Sequence, residues 1–398
     1  MTSVTAALVI VPLLAALAPV ITRFIGYWVR LPVIVFELLL GILVGPAVLG
    51  VVEPTEALSV LADFGVAMLF FMAGTEINGR ALRGRVGRGA WLGWFISLGL
   101  GVAIGWVVAP GLGAVVIGIA LSSTALGTLV PVLRDNRDFG TPFGNSIGAI
   151  GAVGEFGPII AISVVLSNRG TGAAIGVLVA FAVIGGLTIW QAHRFERGRG
   201  SLHRFVESTL HTSGQFAIRL VVLIIASLTA LSLALGVDML LGAFTAGVIW
   251  QALIRDASPE TQEAVESKVE GLAFGFLIPM FFITTGIDFD LHALLDAPWT
   301  LALVPVVAVV LLLVRGLPST LAAPDGATAR TRVAVALMGA TGLPIIIIAT
   351  SAGTEQGYLS GTVAAVLVGG GMLSVLIFPA LAGFVRSRAE TPPAAAAP

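Results

Sequence analysis

The stretch "GIALSSTALGTLVPVL" at residues 118–133 is an apolar segment that polar side chains interrupt near its middle. The interruption consists of three consecutive hydroxyl residues, Ser122, Ser123 and Thr124. Pro131 follows, and because proline has no N–H, it leaves the carbonyl of Gly127 without its usual helical donor. The pattern therefore predicts an apolar helix that is broken near its midpoint.

The composition of the chain indicates a membrane as the solvent of this helix. The 398 residues are 57% hydrophobic and 11% charged, and the mean hydropathy is +1.03. Soluble domains contain about 25% charged residues, whereas membrane helices are stretches of about 20 apolar residues. The prediction is an all-α polytopic membrane protein. The net charge of −1 gives no reason to expect nucleic-acid binding, and the lack of cysteine excludes thiolate metal sites.

Apolar runs between charged or Pro/Gly-rich breaks predict about thirteen transmembrane helices. The predicted spans are 5–27, 31–51, 56–78, 89–109, 112–133, 143–167, 171–191, 215–235, 237–254, 271–287, 297–321, 331–352 and 359–385. Apart from Arg169, Arg219 and Arg315, the Lys and Arg residues lie in the loops after odd-numbered spans, at the span ends that border these loops (Arg23 and Arg332), or at the C-terminus. Because cytoplasmic loops are enriched in Lys and Arg, we expect a cell (plasma or inner) membrane protein with its N-terminus outside and its C-terminus in the cytoplasm.

Three pairs of local patterns recur along the chain. They are "ELLLGILVG" (37–45) with "DMLLGAFTAG" (238–247), "FGVAMLFFMAGTEIN" (64–78) with "FGFLIPMFFITTGIDFD" (274–290), and 118–133 with "VALMGATGLPIIII" (335–348). Each partner lies seven spans further along, and because seven is odd, the two copies face opposite ways. This predicts two inverted six-helix repeats, an arrangement typical of secondary transporters. The predicted segments are a first repeat at 1–170, a linker helix and cytoplasmic loop at 171–214, a second repeat at 215–388 and a disordered tail at 389–398.

A second predicted break lies in span 12, at "GATGLP" (339–344). Thr341 and Gly342 correspond to the first interruption, and Pro344 frees the carbonyl of Ala340. Unpaired backbone at membrane depth is tolerated only where protein or a wet cavity surrounds it. A simple proline kink is one explanation for each break. Two breaks at repeat-equivalent positions favour an ion site built from half-helix ends.

Glu155 lies near the middle of span 6, among glycines and aliphatic residues. A carboxylate at that depth costs at least about 2.5 kcal/mol. Burial favours the protonated form of a carboxyl group, whereas a bound cation favours the ionised form. Glu155 can therefore hold either a proton or, transiently, a monovalent cation, which is the minimum requirement for exchange. The alternative is a protonated structural glutamate bonded to the backbone.

The surroundings of Glu155 in the sequence suggest close packing against another helix. Three glycines precede it on one helical face, namely Gly144, Gly148 and Gly151, and they would let a second backbone approach. Pro158 frees the carbonyl of Gly154, which places an acceptor beside the carboxylate. We therefore expect span 6 to carry Glu155 to the broken helices.

Two other charged residues are candidates for the site. Arg315 in span 11 either balances the charge of Glu155 or of a half-helix carbonyl end, or extends its guanidinium to the membrane surface. Asp63 in span 3 is a candidate second acid. No Walker, HExxH or GxSxG motif occurs. We therefore expect a transporter rather than an enzyme, and no cofactor.

These motifs together resemble the monovalent cation:proton antiporter-2 family of sodium/proton and potassium/proton antiporters. The resemblance is carried by "FELLLGILVGP" (36–46), "FGVAMLFFMAGTEI" (64–77), "ALSSTALGTLVPVLRD" (120–135), "FLIPMFFITTGIDFDL" (276–291) and the segment around Glu155. It implies a sodium/proton antiporter-like fold with crossed, broken helices. It also implies a homodimer in which a core of spans 4–6 and 11–13 moves like an elevator against a scaffold.

Two departures from the family pattern bear on stoichiometry. The carrier helix has Gly154-Glu155 where the family has Asn-Asp, Asp-Asp or Gln-Asp, and Arg315 stands where electrogenic relatives have Lys. Lys releases its proton when buried, whereas Arg does not. Both changes remove a candidate proton carrier, so electroneutral exchange of Na⁺ or K⁺ for a proton is predicted. A sodium-coupled solute symporter of similar fold and a cation channel are the alternatives.

Overall fold

A computed structural model describes residues 3–25, 32–76, 84–165, 215–254, 257–295 and 298–387, with residue 82 and isolated positions between 172 and 183. Regular secondary structure in these ranges is helical, without a β-strand. The α-helices in chain order are α1 (Ser3–Ile25), α2 (Val33–Val44), α3 (Glu56–Thr75), α4 (Gly84–Val108), α5 (Leu112–Leu121), α6 (Leu126–Asp135), α7 (Pro142–Val165), α8 (Phe216–Ala234), α9 (Met239–Ile254), α10 (Pro259–Leu272), α11 (Ile278–Ile287), α12 (His292–Leu295), α13 (Trp299–Leu311), α14 (Leu317–Ser319), α15 (Ala329–Gly339), α16 (Pro344–Glu355) and α17 (Gly361–Ser387).

In the part of the chain that the structure describes, helices overlap the predicted membrane spans, although some bounds differ: α2 ends at Val44, whereas the predicted span 2 extends to residue 51. Among the described residues, ten helical stretches are long and apolar enough to cross a membrane, and α2 and α9 are shorter apolar helices. Each predicted span except the seventh therefore has a helical counterpart, and the all-α polytopic fold is confirmed. Span 7 (171–191) lies outside the described residues apart from its isolated positions, as do most of the 171–214 linker and the 389–398 tail.

The predicted start of span 10 at residue 271 is wrong. The helix begins at Pro259. The residue before it, Ser258, caps the helix by accepting a hydrogen bond from the backbone N–H of Thr261 at 3.2 Å. It continues through a π-helical segment, Ala273–Leu277, into α11. The prediction missed these turns because they are charged, and apolar content marks membrane depth rather than the extent of helical hydrogen bonding.

The chain divides into two compact units. The first combines Met1–Leu17, Glu37–Ile77 and Ile162–Asp288. Within it, a Cβ built on Gly286 of α11 would lie 2.9 Å from the Cα of Gly41 in α2. Likewise, a Cβ on Gly247 of α9 would lie 2.9 Å from the Cα of Gly74 in α3. In these two crossings, α11 packs on α2 and α9 packs on α3. Because α2 and α9 are repeat partners, as are α3 and α11, exchanging the two repeats converts one crossing into the other, as expected of a two-fold repeat.

The second unit combines Ala18–Phe36, Asn78–Ala161 and Phe289–Pro398. Besides parts of spans 1 and 2, it therefore groups spans 4 and 5 and most of span 6 with spans 11–13, which are the spans of the core that the family resemblance implies. A buried apolar cluster joins α4, α6, α7, α15 and α17. Its members include Trp94, Leu129, Val153, Met338 and Phe378. In lipid such packing holds helices together mainly by close contact, and here it fixes the helices that carry both breaks.

Candidate ion-binding site at two helix breaks

The first break is an unwound segment between Leu121, the end of α5, and Leu126, the start of α6. Ser122 and Ser123 donate their hydroxyl protons to the carbonyls at the end of α5, at 3.0 and 2.8 Å. All three predicted hydroxyl residues are fully buried. The predicted break is confirmed, and it coincides with the hydroxyl residues, whereas the helix runs on past position 131.

The second break separates α15, which ends at Gly339, from α16, which begins at Pro344. Its segment contacts the first break directly. The backbone N–H of Ala125 donates to the carbonyl of Thr341 at 2.8 Å. A Cβ on Gly342 would lie 3.1 Å from a backbone oxygen of the first break. The paired breaks predicted from the sequence are therefore one structural feature of the second unit.

Glu155 is brought to the first break by α7, as expected. Its Oε1 accepts hydrogen bonds from the backbone N–H groups of Leu126 at 2.8 Å and Gly127 at 3.4 Å. These groups form the N-terminal end of α6, where unpaired donors and the helix dipole favour negative charge. The residue is only 4% exposed. Its Oε2 is buried and has no hydrogen-bond partner among the described residues.

Pro158 contributes to this arrangement in the way its sequence position indicates. It lies inside α7 and cannot donate to the carbonyl of Gly154. That carbonyl accepts a hydrogen bond from the backbone N–H of Thr124 at 3.0 Å. The acceptor freed by the proline therefore binds the unwound segment and holds α7 against the break.

The predicted glycine face is only partly correct. A Cβ on Gly151 would lie 2.7 Å from the side chain of Leu126, so this glycine does allow close packing. A Cβ on Gly148 would meet nothing within 4 Å, and one on Gly144 would meet the carbonyl of Asp138, in the loop before α7. Equal helical spacing does not reveal which glycines face a neighbour, because that depends on how the helices cross.

Arg315 is fully buried, at 0% exposure, so the alternative in which it extends to the membrane surface is wrong. It lies in the π-helical segment Leu312–Gly316. Its Nε donates to Oγ1 of Thr124 at 2.8 Å, and its Nη2 donates to the carbonyl of Ile150 at 2.9 Å. Thr124 Oγ1 in turn donates to the carbonyl of Gly339 at 2.6 Å. The guanidinium thus ties α7 to both breaks.

Within the part of the chain that the structure describes, Nη1 of Arg315 has no hydrogen-bond partner. Neither Arg315 nor Glu155 has a direct ion-pair partner there. In the described residues, Arg315 is therefore linked to the first break through Thr124 and to α7 through the carbonyl of Ile150.

Gly154 has a role that sequence reasoning missed. A Cβ at this position would lie 2.6 Å from Arg315 Nη2 and 2.6 Å from the Cβ of Thr124. The sequence shows only that a side chain is lacking there. The reason lies in a residue far along the chain, whose guanidinium occupies the space.

Ser374 of α17 is the second residue that the sequence analysis missed. It is fully buried, and its Oγ accepts a hydrogen bond from the N–H of Gly342 at 3.2 Å. Its position along α17 is the feature of the sequence that could have identified it, once the repeat boundaries were known.

The remaining candidate, Asp63, belongs to the first unit. Asp63 is exposed on α3 of the first unit, whereas the Glu155 site consists of second-unit residues, so a role as second acid stays a prediction. Glu37, in α2, is 4% exposed. Among the described residues, no group of three or more His, Cys, Asp and Glu side chains could hold a metal ion.

Comparisons with known proteins agree with these features. A family model described as "Sodium/hydrogen exchanger, transmembrane" matches residues 12–385. YjbQ of Bacillus subtilis (strain 168) is 27% identical over 331 residues, covering 79% of this chain and 52% of that protein. The chain therefore spans about half the length of this relative. The Na⁺/H⁺-K⁺ antiporter GerN of Bacillus cereus is 26% identical over 288 residues, covering 70% of both chains.

A solved structure supports the same fold. The sodium proton antiporter MjNhaP1 from Methanocaldococcus jannaschii at pH 8 superposes with a TM-score of 0.70. It has 16% sequence identity, and the match covers 97% of this chain and 99% of that chain. The family model spans nearly the whole chain and agrees with the resemblance seen in the motifs. The protein therefore belongs to the sodium/hydrogen exchanger family.

Proposed function

We propose that this protein exchanges a monovalent cation, Na⁺ or K⁺, for a proton, and that Glu155 is the binding site both ions share. The observation that carries the proposal is the state of the two carboxylate oxygens. Oε1 is held by the N-terminus of α6, while Oε2 is buried without a partner in the described chain. One oxygen is therefore fixed, and the other is available for a proton or a cation.

Burial of Glu155 supplies the coupling. An ionised carboxylate without a counterion is costly at membrane depth, whereas the protonated and the cation-bound forms are both neutral. The site therefore becomes exposed to the opposite side of the membrane only when it holds a proton or a cation, and not when it is empty. This obligatory neutralisation converts two competing binding reactions into exchange.

The charges around the site support a one-for-one stoichiometry. Glu155 is the carboxylate at the breaks, and Arg315 keeps its charge because a guanidinium does not release its proton in proteins. One proton then leaves for each cation that binds. The proposed exchange is electroneutral, with Ser122, Ser123, Thr124, Thr341 and Gly342 shaping the break around the ion.

The division into two compact units supports an elevator-type movement. The unit that carries Glu155 contains both breaks and the helices packed around them. We propose that it moves as one body against the first unit. A homodimer and a cell-membrane location with the C-terminus in the cytoplasm belong to the same proposal, which rests on family resemblance and on the positive-inside distribution.

The experiment is proton flux in proteoliposomes that contain a pH-sensitive dye, with Na⁺ or K⁺ added outside. Wild type is compared with Glu155→Gln and with Glu37→Gln, which removes an equally buried carboxylate from the first unit. We expect cation-dependent proton flux in wild type and in Glu37→Gln, and its loss in Glu155→Gln.

Each other outcome changes the proposal in a defined way. Flux retained in Glu155→Gln keeps the exchanger and moves the carrier to Asp63. Cation-driven uptake of an organic solute without proton flux identifies a symporter. Cation current without proton movement identifies a channel.

A further inference from the structure

The second helix break has its own side-chain anchor, Ser374. Its Oγ lies 3.2 Å from the amide nitrogen of Gly342 and 3.2 Å from the carbonyl oxygen of the same residue. It lies 2.7 Å from the carbonyl oxygen of Gly371. The oxygen therefore accepts the Gly342 N–H and has one proton to donate to either carbonyl. The contact is direct and completely buried.

Ser374 stands in the second repeat where Glu155 stands in the first. Glu155 lies 13 residues after Pro142, the first residue of α7, and Ser374 lies 13 residues after Gly361, the first residue of α17. Each helix is the last of its predicted repeat, and each packs its polar side chain on the broken helix of that repeat. In both cases the side chain accepts hydrogen bonds from backbone N–H groups at the break. The first repeat uses a carboxylate and the second a hydroxyl.

One peptide unit connects the two anchors. The N–H of Gly342 and the carbonyl of Thr341 belong to the same planar peptide. Ser374 binds the N–H, and the carbonyl accepts the N–H of Ala125 at 2.8 Å. The next two residues, Leu126 and Gly127 at the start of α6, donate their N–H groups to Glu155. Rotation of this peptide would therefore disturb the donors that hold the carboxylate.

We propose that Ser374 is a positioning residue of the ion site, acting through the Thr341–Gly342 peptide as the uncharged counterpart of Glu155. This inference rests on the proposed exchange function. Because Ser374 carries a hydroxyl and Glu155 a carboxyl group, one of these two anchors is ionisable and the other is not. Removal of the hydroxyl leaves a buried N–H without its acceptor and lets the peptide turn, which weakens the geometry around Glu155.

The test compares Ser374→Ala with Ser97→Ala in the proteoliposome assay, across cation concentration and pH. Ser97 is equally buried in the same unit, but its hydroxyl donates only to the carbonyl of Gly93 in its own helix, at 2.7 Å. Ser374→Ala should raise the apparent KM for the cation by about tenfold, the loss expected for one buried hydrogen bond. Ser97→Ala should stay within about twofold of wild type.

A merely structural role for Ser374 would lower the amount of active protein, and hence Vmax, without changing KM or its dependence on pH. Equal KM values for Ser374→Ala, Ser97→Ala and wild type would overturn the inference. If Ser374→Ala does not fold, Ser374→Cys carries the test, because a thiol of similar size is a weaker partner. Its KM should then rise measurably, and an unchanged KM would overturn the inference. Absence of flux in wild type would contradict the proposed function instead.

Discussion

The guanidinium of Arg315 occupies the space that a side chain at position 154 would need, with Nη2 2.6 Å from a Cβ built on Gly154. The two departures from the family pattern therefore lie in direct contact. The carrier helix lacks a side chain where the larger cation reaches across to Thr124 and Ile150. Substitutions at either position should therefore depend on the other.

Gly154→Ala should destabilise the protein. The added methyl group would overlap Arg315 and Thr124, and overpacking of this kind costs about 1–3 kcal/mol. Gly148→Ala is the matched control, because the same change in the same helix meets nothing within 4 Å and alanine is the better helix former. Thermal unfolding in detergent should place Gly154→Ala below wild type and Gly148→Ala at or above it. Equal melting temperatures for the two variants would be incompatible with the packing described.

A double-mutant cycle tests the link between positions 154 and 315. Gly154→Asn alone should be strongly destabilising, because the amide has no room beside the guanidinium. Arg315→Lys alone should be destabilising, because an ammonium cannot reproduce the fork that binds Thr124 and Ile150. The double variant should be less destabilised than the sum of the two single variants, by about 1–3 kcal/mol, because residues in contact are energetically coupled. Additive losses in thermal or denaturant unfolding would show that the two departures are independent.

Thr124 should matter through its hydroxyl. Its Oγ1 donates to the carbonyl of Gly339 and accepts from Arg315, at 2.6 and 2.8 Å. Thr124→Val keeps the shape but leaves both buried partners unsatisfied, at a cost of about 1–3 kcal/mol. Thr124→Ser keeps the hydroxyl and should unfold closer to wild type. The hydrogen bonds would be unimportant if the Val variant melted no earlier than the Ser variant.

Competition for Glu155 fixes the direction of the pH dependence of transport. Protons and cations bind the same oxygen, so lower pH should raise the apparent KM for the cation, approaching about tenfold per pH unit, by mass action. Vmax at saturating cation should change little. Initial rates at several pH values check this. A KM that is constant with pH while Vmax falls would indicate separate proton and cation sites.

Local sequence patterns were sufficient to locate both breaks and the carboxylate. The consecutive hydroxyl residues mark the first break and Pro344 begins the helix after the second, whereas Pro131 and Pro158 lie within continuous helices. A lone glutamate at mid-span is costly unless it is used. The family resemblance likewise anticipated the grouping of spans 4–6 with 11–13, which the second compact unit matches.

The contacts of Arg315, Gly154 and Ser374 could not be predicted in the same way. They join residues on different helices, in one case 191 positions apart. Which faces meet depends on helix crossing, as Gly148 and Gly151 show with identical side chains and different surroundings. The spacing of residues along a helix shows which of them share a face, but it does not show which other helix packs against that face.

The most direct test of shared binding at Glu155 is the number of protons released when a cation binds. Calorimetric titration of the detergent-solubilised protein with Na⁺ or K⁺, in two buffers of different ionisation enthalpy, measures this number. Starting at a pH where the carboxyl is protonated, wild type should release about one proton per bound cation, and Glu155→Gln should release none. Cation binding with no proton release in wild type would contradict the account.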